Sequence, residues 1–485
     1  MMKRILLVAV ALVVGFPLLE AIWLTAWFYI GGIETGDTSS PDDADLLWTP
    51  PEGADEDNAF VAILAATNLV NCSALGTNSW DKVDMSFVSG YANADTNRNS
   101  TARRIRADPG AGEMADRIIA DNQAFYAAFA KGLERKGFRN SEPPDKELGY
   151  PFPPIVVYWR MAQFWWLKIQ REVERGEWER SVKSAETLHR YGRMISDNAE
   201  SSYELMVGTD ILSMAYDKMS VLATMGGLDD ASLARFSALL DEDAQCDLES
   251  LANAFKGIYT CTAALLRDFP FERVLAVLRC RAGCPQIFGK LRSSGGKGIW
   301  PVISRWPGYS RFALHRRTTL NALMAITRNA MAYKVGDEVA YDLPNSLFVQ
   351  DCLGRGLICS IAEEYDNCLS LVLHKHAFVR CRLGVVIAAA RWRLAHGGEM
   401  PPTLDALVPQ YLSAVPLDPW SKDGKPLSYD AAAGVVWSVG ESGDFDYSAL
   451  PAEESKRLHG KIGRKIDRYA FRLDGKPLNL LDNAR

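Results

Sequence analysis

The 485-residue sequence lacks the short motifs that announce a reaction. No Gly-x-Ser-x-Gly elbow, His-Glu-x-x-His pair or Gly-x-Gly-x-x-Gly turn occurs. The one Gly-rich stretch, Ser293 to Pro307, has no Gly-Lys-Ser/Thr at the head of a helix, which argues against a phosphate cradle. Basic excess is also missing: the net charge is −6, so nucleic acid is not an expected partner. Cys280 and Cys284 form the closest cysteine pair, but no second pair stands near to complete a zinc site. The nine cysteines are scattered and odd in number, which leaves at least one unpaired in a monomer and makes buried structural thiols the default. No repeat of fixed period is found.

What is present begins with apolar length. After Lys3 and Arg4, Ile5 to Ile33 carries one charge, Glu20, and is long enough to cross a hydrocarbon core as a helix. The basic pair precedes the span, and Glu34 to Asp57 contains nine carboxylates with no Lys or Arg. The positive-inside rule therefore leaves the N-terminus in the cytoplasm and predicts a single-pass inner-membrane protein with its body in the periplasm or an equivalent space. A cleavable signal peptide is the rival, but its apolar region is usually shorter and ends at a small-x-small site.

Six segments follow from composition: a signal anchor over 1–33, an acidic linker over 34–58, a helical subdomain over 59–150, an α-helical body over 151–394, a small α+β module over 395–450 and a basic tail over 451–485. Five prolines between Ser141 and Pro154 mark the joint before the body. Trp178, Val182, Ala185, Leu188 and Ile195 recur every three or four residues and predict one face of an amphipathic helix. Gly176 and Gly226-Gly227 read as helix stops, and Asp229 as an N-cap. Tyr158, Trp159, Phe164, Trp165 and Trp166 exceed one helix face, so core packing is expected ahead of a ligand platform. The fold class is mainly α: an N-terminal transmembrane helix, an α-helical body and a small α+β end, the body being either an irregular bundle or a set of hairpins, since helix, Gly turn and helix resemble tetratricopeptide-like hairpins.

Catalytic candidates are sparse. His374 and His376 stand at i and i+2, diverge on a helix, and have Glu363, Glu364 and Asp366 nearby. The basic tail, with nine Lys or Arg against three Asp from Lys456 to Arg485, reads as a solvated helical or extended end. In the last module, Leu404, Leu407 and Val408 suit a short helix, Pro416 and Pro419 exclude one, and Leu427 to Tyr429 with Val435 to Trp437 predict a hairpin around Ala431 to Gly434.

Two resemblances add to this reading. Gly15-Phe16-Pro17-Leu18-Leu19-Glu20 resembles a prepilin cleavage motif, although the leader before it is apolar and only about a dozen apolar residues follow Glu20, too few to span. A kinked anchor is the alternative. Residues 395 to 446, with Pro409-x-Tyr411-Leu412, Val415 to Trp420, Gly424 to Tyr429 and Trp437 to Gly440 in fixed order, resemble the C-terminal part of the major pseudopilin of type II secretion systems. That family's loop after the final strand binds calcium, so the resemblance implies a calcium site at Glu441, Asp444 and Asp446; carboxylates in a solvated loop are the plainer reading. More than 300 residues of helical body separate the apolar N-terminus from this module, unlike a pseudopilin. The whole chain resembles large membrane-anchored proteins of planctomycete-like genomes with a helical middle and a Pro-rich DPW module, a family that implies no activity. The expected function is binding or assembly without catalysis, through the membrane and a protein partner. The alternatives are an extracytoplasmic hydrolase with a site assembled from distant residues and a divergent component of a pilus or secretion apparatus.

Overall fold

The computed structural model describes residues 42–48, 57–76, 85–92, 104–105, 107–135, 137–138, 155–268, 316–332, 352–448 and 469–475. The predicted span Ile5–Ile33, the pair Cys280 and Cys284, the loop Ser293–Pro307 and the proline joint up to Pro154 lie outside these residues. Among the described residues no helix is long and apolar enough to cross a membrane.

The chain is mainly helical, with one small antiparallel sheet among the described residues. Among the described residues four short helices come first: α1 (Ala59–Ala66), α2 (Ser86–Ala92), α3 (Ala111–Asp121) and α4 (Gln123–Gly132). Long ones follow: α5 (Ile155–Glu174), α6 (Trp178–Asp197), α7 (Ser202–Thr224), α8 (Asp230–Asp268), α9 (Arg316–Met331), α10 (Cys352–Leu369) and α11 (Ala377–Ala395). Local chemistry sets their ends. Gly176 (φ 69°) and Gly226 (φ 74°) take the left-handed conformation just past α5 and α7, where an L side chain would be strained. Ser201 caps α7 by accepting from the Glu204 N–H, and Asp229 accepts from the Ser232 N–H at the head of α8.

Helices α5, α6 and α7 pack side by side, with α11 laid against α7 and α8. The predicted stripe of α6 faces inward: Val182, Ala185, Leu188 and Ile195 are buried. The aromatic cluster of α5 is core, as expected. Tyr158, Phe164 and Trp165 are buried among Phe125, Tyr126, Phe129 and Tyr191, and Phe129 meets Tyr191 edge to face at 4.8 Å.

The apolar interior divides into two large cores. The first gathers α1 to α7, the start of α8, α11 and part of the C-terminal module. The second gathers the rest of α8 with α9 and α10. Helix α8 serves both, giving Leu233, Phe236 and Leu240 to the first and Leu251, Phe255, Ile258 and Tyr259 to the second.

The sheet runs β1 (Ser428–Asp430), β2 (Val435–Trp437), β3 (Ala470–Arg472), all antiparallel, with Tyr429 opposite Val436 and Val436 opposite Phe471. The hairpin lies where the sequence placed it, with Gly434 (φ 63°) in its turn. The third strand departs from the reading of the tail as a solvated end. Within Tyr469 to Leu473, Phe471 and Leu473 enter the first core while Ala470 packs with Trp437 and Tyr447. Alternation over five residues put apolar groups on both faces, and the surrounding charge masked it.

The acidic stretch also holds a surprise. Asp42 to Trp48, inside the expected linker, lies on α8 and α9: Leu46 is fully buried in the second core with Leu47 packed beside it. Two adjacent leucines supply an apolar anchor that the acidic composition obscured.

Candidate functional site

The densest set of buried ionisable groups sits at the seam between the two cores. On α8, Asp243, Asp247 and Ser250 fall between the last first-core residue, Leu240, and the first second-core residue, Leu251. Spacings of three and four carry all of them on one inward face of the helix. Helix α6 presents His189, Arg193 and Asp197 at the same intervals, and α7 contributes Tyr216.

The fourth contribution comes from an irregularity. Between α10 and α11, Ser370–His376 form a π-helical segment, a wider turn that arises where one extra residue is accommodated within a helix. It sends its two histidines apart. His374 Nδ1 lies 2.7 Å from the Pro419 carbonyl oxygen and its ring stacks on Trp420 at 4.8 Å, so it meets the C-terminal module. His376 points inward, is fully buried, and stacks on Tyr216 at 5.3 Å.

Asp243 is the hub. Its Oδ2 accepts from His189 Nε2 at 2.7 Å and from the Tyr216 hydroxyl, and Arg193 Nε lies 3.6 Å from its Oδ1. Burial alone would raise this carboxyl, but the His189 bond, the Tyr216 bond and the Arg193 charge together hold it below the ordinary value. An ionised carboxylate only accepts, so the His189 nitrogen facing it carries the proton. Arg193 also bonds Asp197, Asp247 and Ser250, and Arg380 of α11 closes the set on Asp247. Both guanidiniums are held above the ordinary arginine value: burial opposes their charge, but the neighbouring carboxylates outweigh it. His376 is the exception. Neither ring nitrogen has a hydrogen-bond partner among the described residues, and burial pushes its pKa down to about 4, so it is neutral at ordinary pH.

The centre of the seam is withdrawn from solvent: Asp243 is 0% exposed, Tyr216 1% and His376 2%, and His189 and Asp247 are buried, while at its edge the Asp197 side chain is 39% exposed. A second pair invites a hydrolytic reading: Lys168 Nζ on α5 lies 2.7 Å from Ser184 Oγ on α6. Lys168 also bonds the Glu172 carboxylate and stands 5.4 Å from the Trp165 ring centre, so its head group is shared among three partners. Ser184 itself is buried.

In the C-terminal module, Asp418 of the DPW triplet organises the turn. It is buried and accepts from Trp420 N at 3.0 Å, Ser438 Oγ at 2.7 Å and Val439 N at 2.7 Å, joining the turn to the end of β2. Phe378 of α11 meets Phe471 edge to face at 6.1 Å and completes the docking of the module on the body.

The residues singled out from sequence are dispersed. Glu441, Asp444 and Asp446 are exposed, and Asp446 accepts from the N–H and hydroxyl of Ser448. Gly440 and Gly443 turn this loop, and Phe445 N donates to the Val439 carbonyl at 2.9 Å. Glu363 and Asp366 are exposed on α10, and Glu364 accepts from Ser202. Among the described residues no group of three or more His, Cys, Asp and Glu is placed to hold a metal ion. Cys72 and Cys368 are buried free thiols, and burial pushes Cys368 up to about 12. Apart from His376, the seam residues were missed by sequence reasoning. The available signal was polar residues at i, i+4 continuing an apolar stripe: Phe236, Leu240, then Asp243 and Asp247.

No protein-family model, curated protein or solved structure matches this chain.

Proposed function

We propose that this chain is a membrane-anchored extracytoplasmic protein that works by binding or assembly and performs no catalysis, its helical body acting as a rigid support. The observation that carries this reading is the internally paired seam. The core of the ionisable cluster that would most readily suggest an active site, His189, Asp243 and Asp247, is buried, and its carboxylates and guanidiniums pair with one another across α6, α8 and α11. Such networks are suited to fixing one helix register, because a shifted register would leave a buried charge unpaired. The hydrolase alternative needs an accessible nucleophile beside a free base, and Lys168 is engaged by Glu172. The test is labelling of the full chain in membranes with a fluorophosphonate probe. No serine labelling is expected; labelling at Ser184 that disappears in Ser184→Ala would establish the hydrolase instead.

The resemblance of the last module supports a second reading, a divergent component of a pilus or secretion apparatus with a protein partner. Its favouring observation is the way Asp418 closes the DPW turn onto the hairpin, which makes the matched residues one folded unit. Mass spectrometry of the mature N-terminus tests it: a start at Phe16 supports pilin-type processing, and an intact Met1 removes that support. Cross-linking in native membranes from Lys422 and Lys425, both exposed on the module, is expected to reach a second protein species; intramolecular links alone count against assembly. Calcium at Glu441, Asp444 and Asp446 is part of this reading. It predicts a calcium-dependent rise in melting temperature that Asp444→Asn abolishes, and an unchanged melting curve in calcium would remove it.

A further inference from the structure

The seven residues Asp42 to Trp48 are bound to the body by more contacts than a passive spacer needs. Asp43 is buried, and its Oδ2 accepts from Tyr259 Oη and Arg267 Nη2, each at 2.5 Å. Trp48 N donates to Thr260 Oγ1 at 2.8 Å, again on α8. On α9, Arg328 holds Asp45 through two nitrogens, at 2.8 and 3.1 Å, and donates to the Asp42 carbonyl at 2.7 Å. Between these polar ends Leu46 inserts fully into the second core. Apolar insertion flanked by charge-assisted hydrogen bonds is the pattern of a docked segment with one geometry.

We infer that Asp42–Trp48 is a strap that holds the α8–α9 end of the body, through Asp43, Asp45 and Leu46, against the lipid surface of the membrane. The inference rests on the anchor reading of Ile5–Ile33 given above. Asp42 lies nine positions beyond Ile33, and a chain over that interval spans at most about 32 Å. The strap's docking site therefore stays within that distance of the bilayer surface. Were the strap undocked, the next described point of attachment would be Asp57 and Asn58, where Gly137 N donates to the Asp57 carbonyl and Asn58 bridges Gly137, on the first core side. The anchor and the body would then be joined over 24 positions, from Ile33 to Asp57, with a limit above about 80 Å. The strap thus decides which end of the body faces the membrane. Helix α8 makes the difference large: from Tyr259 beside the strap to Asp230, which pairs with Arg391 near the end of α11, its axis runs about 44 Å.

The experiment uses the full chain in phosphatidylcholine nanodiscs containing an acceptor-labelled lipid, with a fluorescent amino acid placed at exposed Asn321 on α9 or exposed Ala231 at the far end of α8. Energy transfer from Asn321 is expected to exceed that from Ala231, and opening the strap with Asp43→Asn plus Leu46→Asn should lower the Asn321 signal by about half, given the added tether length. Asp43→Ala alone, which leaves Leu46 in place, provides a milder variant with a smaller drop in the same direction if the double change disturbs folding by circular dichroism. Carbonate extraction is run in parallel. A chain that remains in the membrane yet gives equal transfer from both positions, or a signal that ignores both strap variants, overturns the strap while leaving the anchor standing. A chain released by carbonate overturns the anchor reading, and the strap with it.

Discussion

Glu204 sets up a test of how burial shapes this bundle. It lies in the first turn of α7, only 4% exposed, where its Oε2 accepts from the Glu200 N–H at 2.9 Å and sits 3.4 Å from the Ser201 hydroxyl. Ser201 accepts from the Glu204 N–H in return, so the cap and Glu204 bond reciprocally, with Glu204 reaching the N–H one residue before the cap. Burial nevertheless pushes its carboxyl up from 4.5 to about 7, with the Glu200 charge adding to the rise against those hydrogen bonds. A folded-state value above the unfolded one means the native protein binds the extra proton. This contribution to stability is whole below pH 4.5 and is lost as pH rises to about 7. Two and a half units correspond to roughly 3 kcal/mol, so ionised Glu204 costs the fold on that order at pH 8. Glu204→Gln keeps an acceptor for the Glu200 N–H and removes the charge. Thermal unfolding of the two proteins in the same detergent should give nearly equal melting temperatures at pH 5 and a clearly higher one for the variant at pH 8. Equal melting temperatures at both pH values, or a variant less stable at pH 8, would refute the argument that desolvation dominates here.

Three further outcomes follow from the packing. Gly208→Ala would place its Cβ 2.6 Å from the Ser196 backbone nitrogen where α7 crosses α6, so a loss of about 3 kcal/mol is expected by chemical denaturation, while Gly397→Ala, with open space around it but a positive φ, should cost only about 1 kcal/mol. Asp243→Ala strips the partner from His189 and Tyr216 and weakens the hold on Arg193; about 3–5 kcal/mol should disappear from the stability, and a drop under 1 kcal/mol would contradict a structural seam. Asp418→Ala leaves the Trp420 and Val439 N–H groups without their acceptor, which should raise hydrogen exchange across β1 and β2 while leaving α5 and α6 protected; uniform protection would show that the clamp is dispensable.

Much of this architecture follows from local chemistry. The inward stripe of α6, the Gly176 and Gly226 stops, the Asp229 cap and the hairpin over Ser428 to Trp437 depend on periodicity and turn residues that act over a few positions, and a sequence displays those directly. The aromatic cluster of α5 was readable as core for a similar reason: five large rings cannot share one exposed face. The seam was not readable, because pairing Asp243 with His189 or Asp247 with Arg380 depends on helices separated by 54 and 133 positions. Polar residues on an inward face could equally have been solvent-facing, and only the presence of a partner across the interface makes them core. The divergence of His374 and His376 was expected on helical geometry, but the π turn between α10 and α11 is what sends one to the module and the other to Tyr216. The strap and the third strand share a different cause. Leu46 and Phe471 each sit in a strongly charged stretch, and composition averaged over such a stretch predicts solvation. A single buried side chain is enough to dock a segment once a complementary cavity and a few ion pairs exist, and that cavity belongs to residues far away in the chain. Sequence alone thus determined which segments are helical and which faces turn inward; the tertiary structure decided which charges meet, because burial and Coulomb attraction act through space.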